Sequence, residues 1–245
     1  MNLIFPSLPP LRGIFITGTD TDVGKTWVAA GLTAALRQQG VKAVYFKPVQ
    51  SGCPEAEGRP IPTDADFARR LAGLPEPLEV LTPIALRLPL APGVAAAQAG
   101  VEVDLERIAA GLRDLAGRYD FFVVEGAGGL YVPLMNMNFL VLDLIRWLGL
   151  RLAVVAKSGL GTINHTVLTV KAAQAAGINV IGVILNRYPE NPGLAAATNP
   201  GVIEALTGLP ILGKLPEVAD LTFPVDREIF LAALKPIAQQ LPGAS

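Results

Sequence analysis

The stretch GIFITGTDTDVGKTWVAAGL, residues 13–32, runs from a β-branched and aromatic segment, Ile14-Phe15-Ile16-Thr17, through a small polar loop into an alanine- and leucine-rich segment of helical character. The loop closes on Gly24-Lys25-Thr26. A strand that gives way to a glycine loop, then to a helix opening at Gly-Lys-Thr, is the setting of a phosphate-binding loop. The free N–H groups and positive dipole end of such a helix attract anions. Lys25 would reach terminal phosphates, and Thr26 would offer a hydroxyl to Mg²⁺. The strict pattern has four residues between the first glycine and Gly-Lys; here five residues separate Gly18 from Gly24. The bland alternative is a strand-to-helix turn in which Gly24 serves the backbone and Lys25 is solvated.

Outward from that loop, short apolar runs alternate with longer helical stretches. The runs 13–17, 42–46, 120–124, 151–156, 179–185 and 211–215 lack polar alternation, as expected of strands covered on both faces. Helices are expected at 25–39, 64–72, 104–118, 138–148, 162–176, 200–207 and 226–240, with Asp104 as a cap and Gly40 and Gly177 as stops. The order predicts a doubly wound, mostly parallel α/β sheet with helices on both faces, like that of P-loop NTPases. The whole chain, 1–245, reads as a single domain whose residues 1–11 form a flexible extension. The proline- and glycine-rich region 52–103 reads as long loops flanking one helix.

Composition limits the function classes. The 245 residues are 51% hydrophobic and 17% charged, enough for a sizeable core. A net charge of −1 gives no electrostatic case for nucleic acid or an anionic membrane as partner. One cysteine, Cys53, fits a reducing compartment, and the N-terminus does not read as a signal peptide. No apolar run is long enough to span a bilayer. A cytoplasmic protein is expected.

In an open parallel sheet, ligands bind beyond the carboxyl ends of the strands. The residues there are Gly18 to Thr26, Lys47 to Gly52, Glu125 to Gly129, Lys157 to Gly161, Asn186-Arg187 and Pro216-Glu217. Lys47 is either a snorkelling strand-end lysine or a cation for phosphoryl transfer. Glu125 needs a partner at the end of a buried strand: a metal, or a salt bridge. Asp64 or Asp66 could complete a set of hard oxygens with Thr26 and Glu125. The only histidine, His165, has no second nitrogen or sulfur ligand beside it, and Cys53 has no adjacent base.

The motifs GTDTDVGKT (18–26), KPVQSG (47–52), VVEGAGG with VPL (123–134) and GLGTINHTVLT (159–169), with the Asn after the fifth strand, resemble the dethiobiotin synthetase family over nearly the whole chain. The family's phosphate loop resembles this one in its longer spacing. The resemblance implies an ATP- and Mg²⁺-dependent ligase that joins CO₂ (or bicarbonate) to 7,8-diaminopelargonate through a carbamate and a carbamic-phosphoric anhydride. It implies Lys47 as the active-site lysine and Lys25 on the terminal phosphates, both catalytic, with Ser51 contacting substrate. Asp22, Val23, Gly24, Thr26 and Trp27, together with Glu125, Gly126, Ala127 and Gly128, would cradle the triphosphate. Thr26, Asp64 and Glu125 would hold the metal, Asp64 being favoured over Asp66 by an Asp-Ala pair in the family. Asn186, Arg187, Pro216, Glu217 and Val218 would lie by the base. Gly161, Thr162, Ile163 and Asn164 would bind the substrate carboxylate across a homodimer interface.

Two positions depart from the family. Ala91-Pro92-Gly93 stands where many members carry Ser-Pro-His, and Arg187 where an Asp often follows the Asn. The main alternative is a P-loop ATPase of the partitioning or cell-division type, but Gly18 to Val23 holds no additional lysine. The C-terminal segment, expected to be broken at Pro236, suits membrane binding poorly. A glutamine-dependent amidoligase would need a further module, and a non-catalytic regulatory binding module is the remaining option.

Overall fold

The computed structural model describes residues 5–241. Six parallel strands form the central sheet: β1 (Gly13–Gly18), β2 (Ala43–Phe46), β3 (Phe121–Glu125), β4 (Arg151–Lys157), β5 (Val180–Tyr188) and β6 (Ile211–Pro216). Their spatial order is β6-β5-β4-β1-β3-β2. The chain first moves from β1 to the β2 edge, then returns through β3 and crosses to β4 on the other side of β1. With right-handed crossovers, this reversal puts helices on opposite faces. On one face α1 (Lys25–Gln38), α2 (Thr63–Ala72) and α9 (Pro224–Gln240) pack together; α7 (Thr162–Ala175) and α8 (Leu194–Thr207) pack on each other. The reversal opens a crevice beside β1, where its loop meets α1.

β1, β2 and β3 are fully buried and β4 and β5 nearly so, led by Phe15, Tyr45, Phe46, Phe121 and Phe122, while the edge strand β6 is mostly half-buried. Each expected strand and helix is present, with ends moved by a few residues. Asp104 caps α5 (Leu105–Ala116), its Oδ1 accepting from the N–H groups of Glu106 and Arg107. Gly40 and Gly177 follow α1 and α7 in left-handed conformation.

Three expectations need correction. Region 52–103 holds not one helix but α2, the single turn α3 (Leu78–Leu81) and α4 (Pro92–Ala99), with a two-residue ladder between Val49–Gln50 and Ile84–Ala85. Helix α4 carries its own signals, proline at N1 and Gly100 at the stop, which the density of Pro and Gly around it obscures. Helix α8 begins at Leu194 rather than Pro200. Pro200 cannot donate to the Ala196 carbonyl, and Tyr188 Oη supplies that bond at 3.0 Å, so the helix runs through. Likewise α9 passes Pro236 without a break, its buried Phe230, Leu234 and Ile237 tying it to the body of the domain. That face is therefore not free for a membrane.

Of the N-terminal extension, residues 1–4 lie outside the described residues. Residues 5–12 have no regular structure; Trp147 Nε1, on α6 (Val141–Leu148), donates to the Pro6 carbonyl at 3.0 Å, and the Phe5 ring lies 5.7 Å from that of Phe139. Among the described residues, no helix is long and apolar enough to cross a membrane.

Candidate active site

A cleft of about 800 Å³ opens at the carboxyl ends of β1, β2 and β3. The β1–α1 loop forms one wall. Gly24 has φ 91°, and a Cβ there would lie 2.0 Å from Asn186 Nδ2, so only glycine fits. Asn186 is buried under the loop, and its Nδ2 donates to the Val23 carbonyl at 2.9 Å, while its Oδ1 has no partner among the described residues. Lys25 Nζ rests on the Asp20 carbonyl at 2.8 Å. Burial above all lowers the Lys25 pKa; Glu125 opposes the shift and the Lys47 ammonium adds to it.

Opposite stands a buried charge cluster. Glu125, the last residue of β3, is 1% exposed. Its Oε1 accepts from Thr26 Oγ1 and from Lys47 Nζ, each at 2.8 Å, and its Oε2 accepts from Tyr45 Oη at 2.6 Å. Lys47 Nζ also donates to Asp64 Oδ2. Burial works to lower the Lys47 pKa, but Glu125 and Asp64 outweigh it and hold it above the ordinary lysine range. Burial, then the charges of Glu125 and Asp64, pushes the Tyr45 phenol well above its usual value, so it stays a donor. The ammonium is thus held by two carboxylates, one of which also meets the Thr26 hydroxyl: a hard-oxygen site gathered about one cation. Among the described residues, no cluster of three or more His, Cys, Asp or Glu could hold a metal without other ligands.

The structure places most of the expected residues on this cleft. Asp22, Gly24, Lys25, Thr26, Trp27, Lys47, Ser51, Asp64, Glu125, Ala127, Gly128 and Arg187 line it. Asp64 meets Lys47, whereas Asp66 pairs with Arg69 and Arg70. Arg187 does not follow β5 but lies within its end, at φ 52° where the register with β6 shifts. Pro216 pairs beside Tyr188, and Pro216, Glu217 and Val218 lie outside the lining. The segment from Gly161 to Asn164 stands elsewhere: Thr162 lines a smaller hollow of about 150 Å³ with Lys157, His165, Thr19 and Asp20.

Sequence reasoning passed over three supporting residues. Gln50 Nε2 donates to Thr63 Oγ1 at 3.0 Å while its Oε1 accepts from the Asp64 N–H at 3.2 Å, capping α2 from outside where Pro62 offers no side-chain acceptor. The Phe67 ring stacks on Trp27 at 6.4 Å, joining α2 to α1. Tyr45 is the third. Only the alternation of β2 hints at it, since its face is shared with the end of β3.

Cys53 is 3% exposed, and burial raises its thiol pKa to about 11. At pH 8 the thiolate is then on the order of a thousandth of the population. Iodoacetamide should label the native chain at least ~100-fold more slowly than the urea-unfolded chain; equal rates would show an accessible thiol.

A glycine loop between β1 and α1, a lysine and a threonine at the helix start, and an acidic β3 terminus across the cleft define a P-loop nucleotide-binding α/β protein. The model of an AAA-domain family matches residues 12–225. The ATP-dependent dethiobiotin synthetase of Anaeromyxobacter sp. is 45% identical over 90% of this chain and 96% of its own, and that of Bacillus licheniformis 42% identical over 86% and 88%. The chain belongs to the dethiobiotin synthetase family, ATP-dependent ligases that form carbon–nitrogen bonds. Among solved structures, it is similar to the septum site-determining protein MinD of Pyrococcus horikoshii, complexed with Mg-ADP, with TM-score 0.53 and 21% identity over 95% of this chain and 96% of that one. It is also similar to apo McdA of Cyanthece, with TM-score 0.59 and 14% identity over 95% and 100%. At such identities the likeness is one of fold.

Proposed function

We propose that the cleft converts 7,8-diaminopelargonate, CO₂ and ATP to the cyclic urea dethiobiotin. One amine of the diamine adds to CO₂ and loses a proton, giving a carbamate. A carbamate oxygen takes the γ-phosphoryl group of ATP, releasing ADP and leaving a carbamic-phosphoric anhydride. The second amine attacks the carbonyl carbon, expels phosphate and closes the ring. The observation that carries this reading is the convergence of Lys25, Lys47 and the α1 N-terminus on one cleft, because carbamate and triphosphate are both anionic and repel each other unless cations lie between them.

Lys25 would leave the Asp20 carbonyl for the terminal phosphates. Lys47 would turn from its carboxylates toward the transferring group and hold the reactants in line. Thr26, Asp64 and Glu125 fit Mg²⁺, which takes one or two carboxylates and completes its shell with phosphate and water. When bound, that ion neutralises charge on the β- and γ-phosphates. Ala127 and Gly128 on the cleft wall would flank the phosphates, with Val23 and Gly126 behind that wall, and Ser51 would face the diamine. The unpartnered Oδ1 of Asn186 suits the exocyclic amine of adenine. Arg187, on the cleft, and Pro216, Glu217 and Val218, outside its lining, would lie toward the base.

The segment Gly161 to Asn164 opens α7 away from the main cleft, so its free N–H groups suit the substrate carboxylate of a second copy. Leu160 is 92% and Leu168 61% exposed, and α8 adds Leu194 and Leu206. Such an apolar surface favours a homodimer. Sedimentation at micromolar concentration should give twice the chain mass, and Leu168→Glu should shift it toward monomer; a wild-type monomer would refute the dimer. The single buried Cys53 suits a cytoplasmic enzyme.

The test is incubation of the pure protein with ATP, Mg²⁺, bicarbonate and the diamine. Diamine-dependent phosphate release, with a cyclic urea seen by mass spectrometry, is expected. Diamine-independent hydrolysis stimulated by DNA or lipid would instead indicate an ATPase of the partitioning type.

A further inference from the structure

Tyr45 carries a hydroxyl that packing does not require. Its side chain is fully buried in β2, where a phenylalanine would fill the same space, and a buried phenol is unfavourable without a partner. In register, Tyr45 lies opposite Val123 on β3, and Glu125 two residues on projects to the same face. The ring therefore reaches along the sheet, and its hydroxyl makes a 2.6 Å bond to Glu125 Oε2. The other two donors to this carboxylate, Thr26 and Lys47, both go to Oε1. Both also belong to the groups that must engage phosphates or a cation. Only Tyr45, sealed from the cleft, can keep its bond unchanged when ligands arrive.

We infer that Tyr45 is a positioning residue, which holds the Glu125 carboxylate by Oε2 so that Oε1 stays turned toward Thr26 and the divalent cation. The inference rests on the reading of Glu125 as a cation ligand. It resembles the general case of outer partners that orient the ligands of a metal, whose removal weakens binding about 10- to 100-fold.

The test uses the full chain with Mn²⁺ as probe, read by electron paramagnetic resonance in the presence of a non-hydrolysable ATP analogue. Tyr45→Phe keeps the ring and its packing, and a thermal melt checks the fold. Its Mn²⁺ dissociation constant should rise about tenfold or more. Its affinity for the analogue in EDTA should stay within about twofold of wild type, because the phosphate loop is untouched. Glu125→Gln runs beside it. Wild-type Mn²⁺ affinity in Tyr45→Phe with weakened binding in Glu125→Gln would overturn the role of Tyr45 and leave that of Glu125 standing. Wild-type affinity in both would overturn the ligand reading and the inference with it. Equal loss of analogue affinity with and without Mn²⁺ would mark a structural role and also overturn it.

Discussion

Lys47→Gln should lower diamine-dependent turnover by roughly two to three orders of magnitude, the loss usual when a positioned electrostatic group is removed from a transition state. ATP affinity should change by no more than a few-fold, because the phosphate loop and Lys25 remain. Geometry separates the two effects. In the ligand-free chain the Lys47 ammonium is bonded to Asp64 and Glu125 and not to the β1–α1 loop. Glutamine is close in length but carries no charge, so it cannot neutralise the carbamate as phosphate approaches. It also frees both carboxylates, so Mn²⁺ should bind the nucleotide-free variant more tightly than wild type. Single-turnover phosphate release and fluorescent-nucleotide titration measure the two quantities. Wild-type turnover would remove Lys47 from the chemistry.

Gly24→Ala should weaken ATP binding at least ~100-fold, about 2.8 kcal/mol at 1.4 kcal/mol per tenfold. A left-handed backbone at a residue bearing Cβ costs about 1–2 kcal/mol. The new methyl would also stand 2.0 Å from Asn186 Nδ2, forcing that buried amide off the Val23 carbonyl. Leaving it unsatisfied costs about 1–3 kcal/mol more. Both penalties fall on the loop that must face the phosphates. A melting temperature lowered by several degrees should accompany the loss. Calorimetric titration with ATP and Mg²⁺ decides the matter, and affinity within threefold of wild type would show that the loop does not need its observed shape.

Why some of this is legible in the sequence and some is not follows from distance along the chain. The β1–loop–α1 unit is local: strand run, glycine, lysine and helix start are contiguous, and the structure keeps them so. The gathering of strand ends at one rim was also readable, because a parallel sheet puts every carboxyl end on the same side. Tyr45 and Gln50 were not, since their partners lie in β3 and α2 and depend on register and on the path of 52–103. The course of helices α8 and α9 is hidden in the sequence for a related reason. Pro200 reads as a start and Pro236 as a break, until Tyr188 from β5 is seen to serve the orphaned carbonyl in α8 and the buried face of α9 to hold its helix in place. Arg187 reads from sequence as following a strand, yet it lies within the strand's last residues where the register with β6 shifts, a feature of pairing with β6.

The most direct measurement is a crystal structure with a non-hydrolysable ATP analogue, Mg²⁺ and the diamine. Lys47 Nζ should have left Asp64 and should lie about 3 Å from an oxygen of the γ-phosphate or carbamate, with Lys25 on the same triphosphate. Lys47 still seated between Asp64 and Glu125, with the γ-phosphorus beyond the reach of a lysine side chain, would contradict the convergence on which the proposed reaction depends.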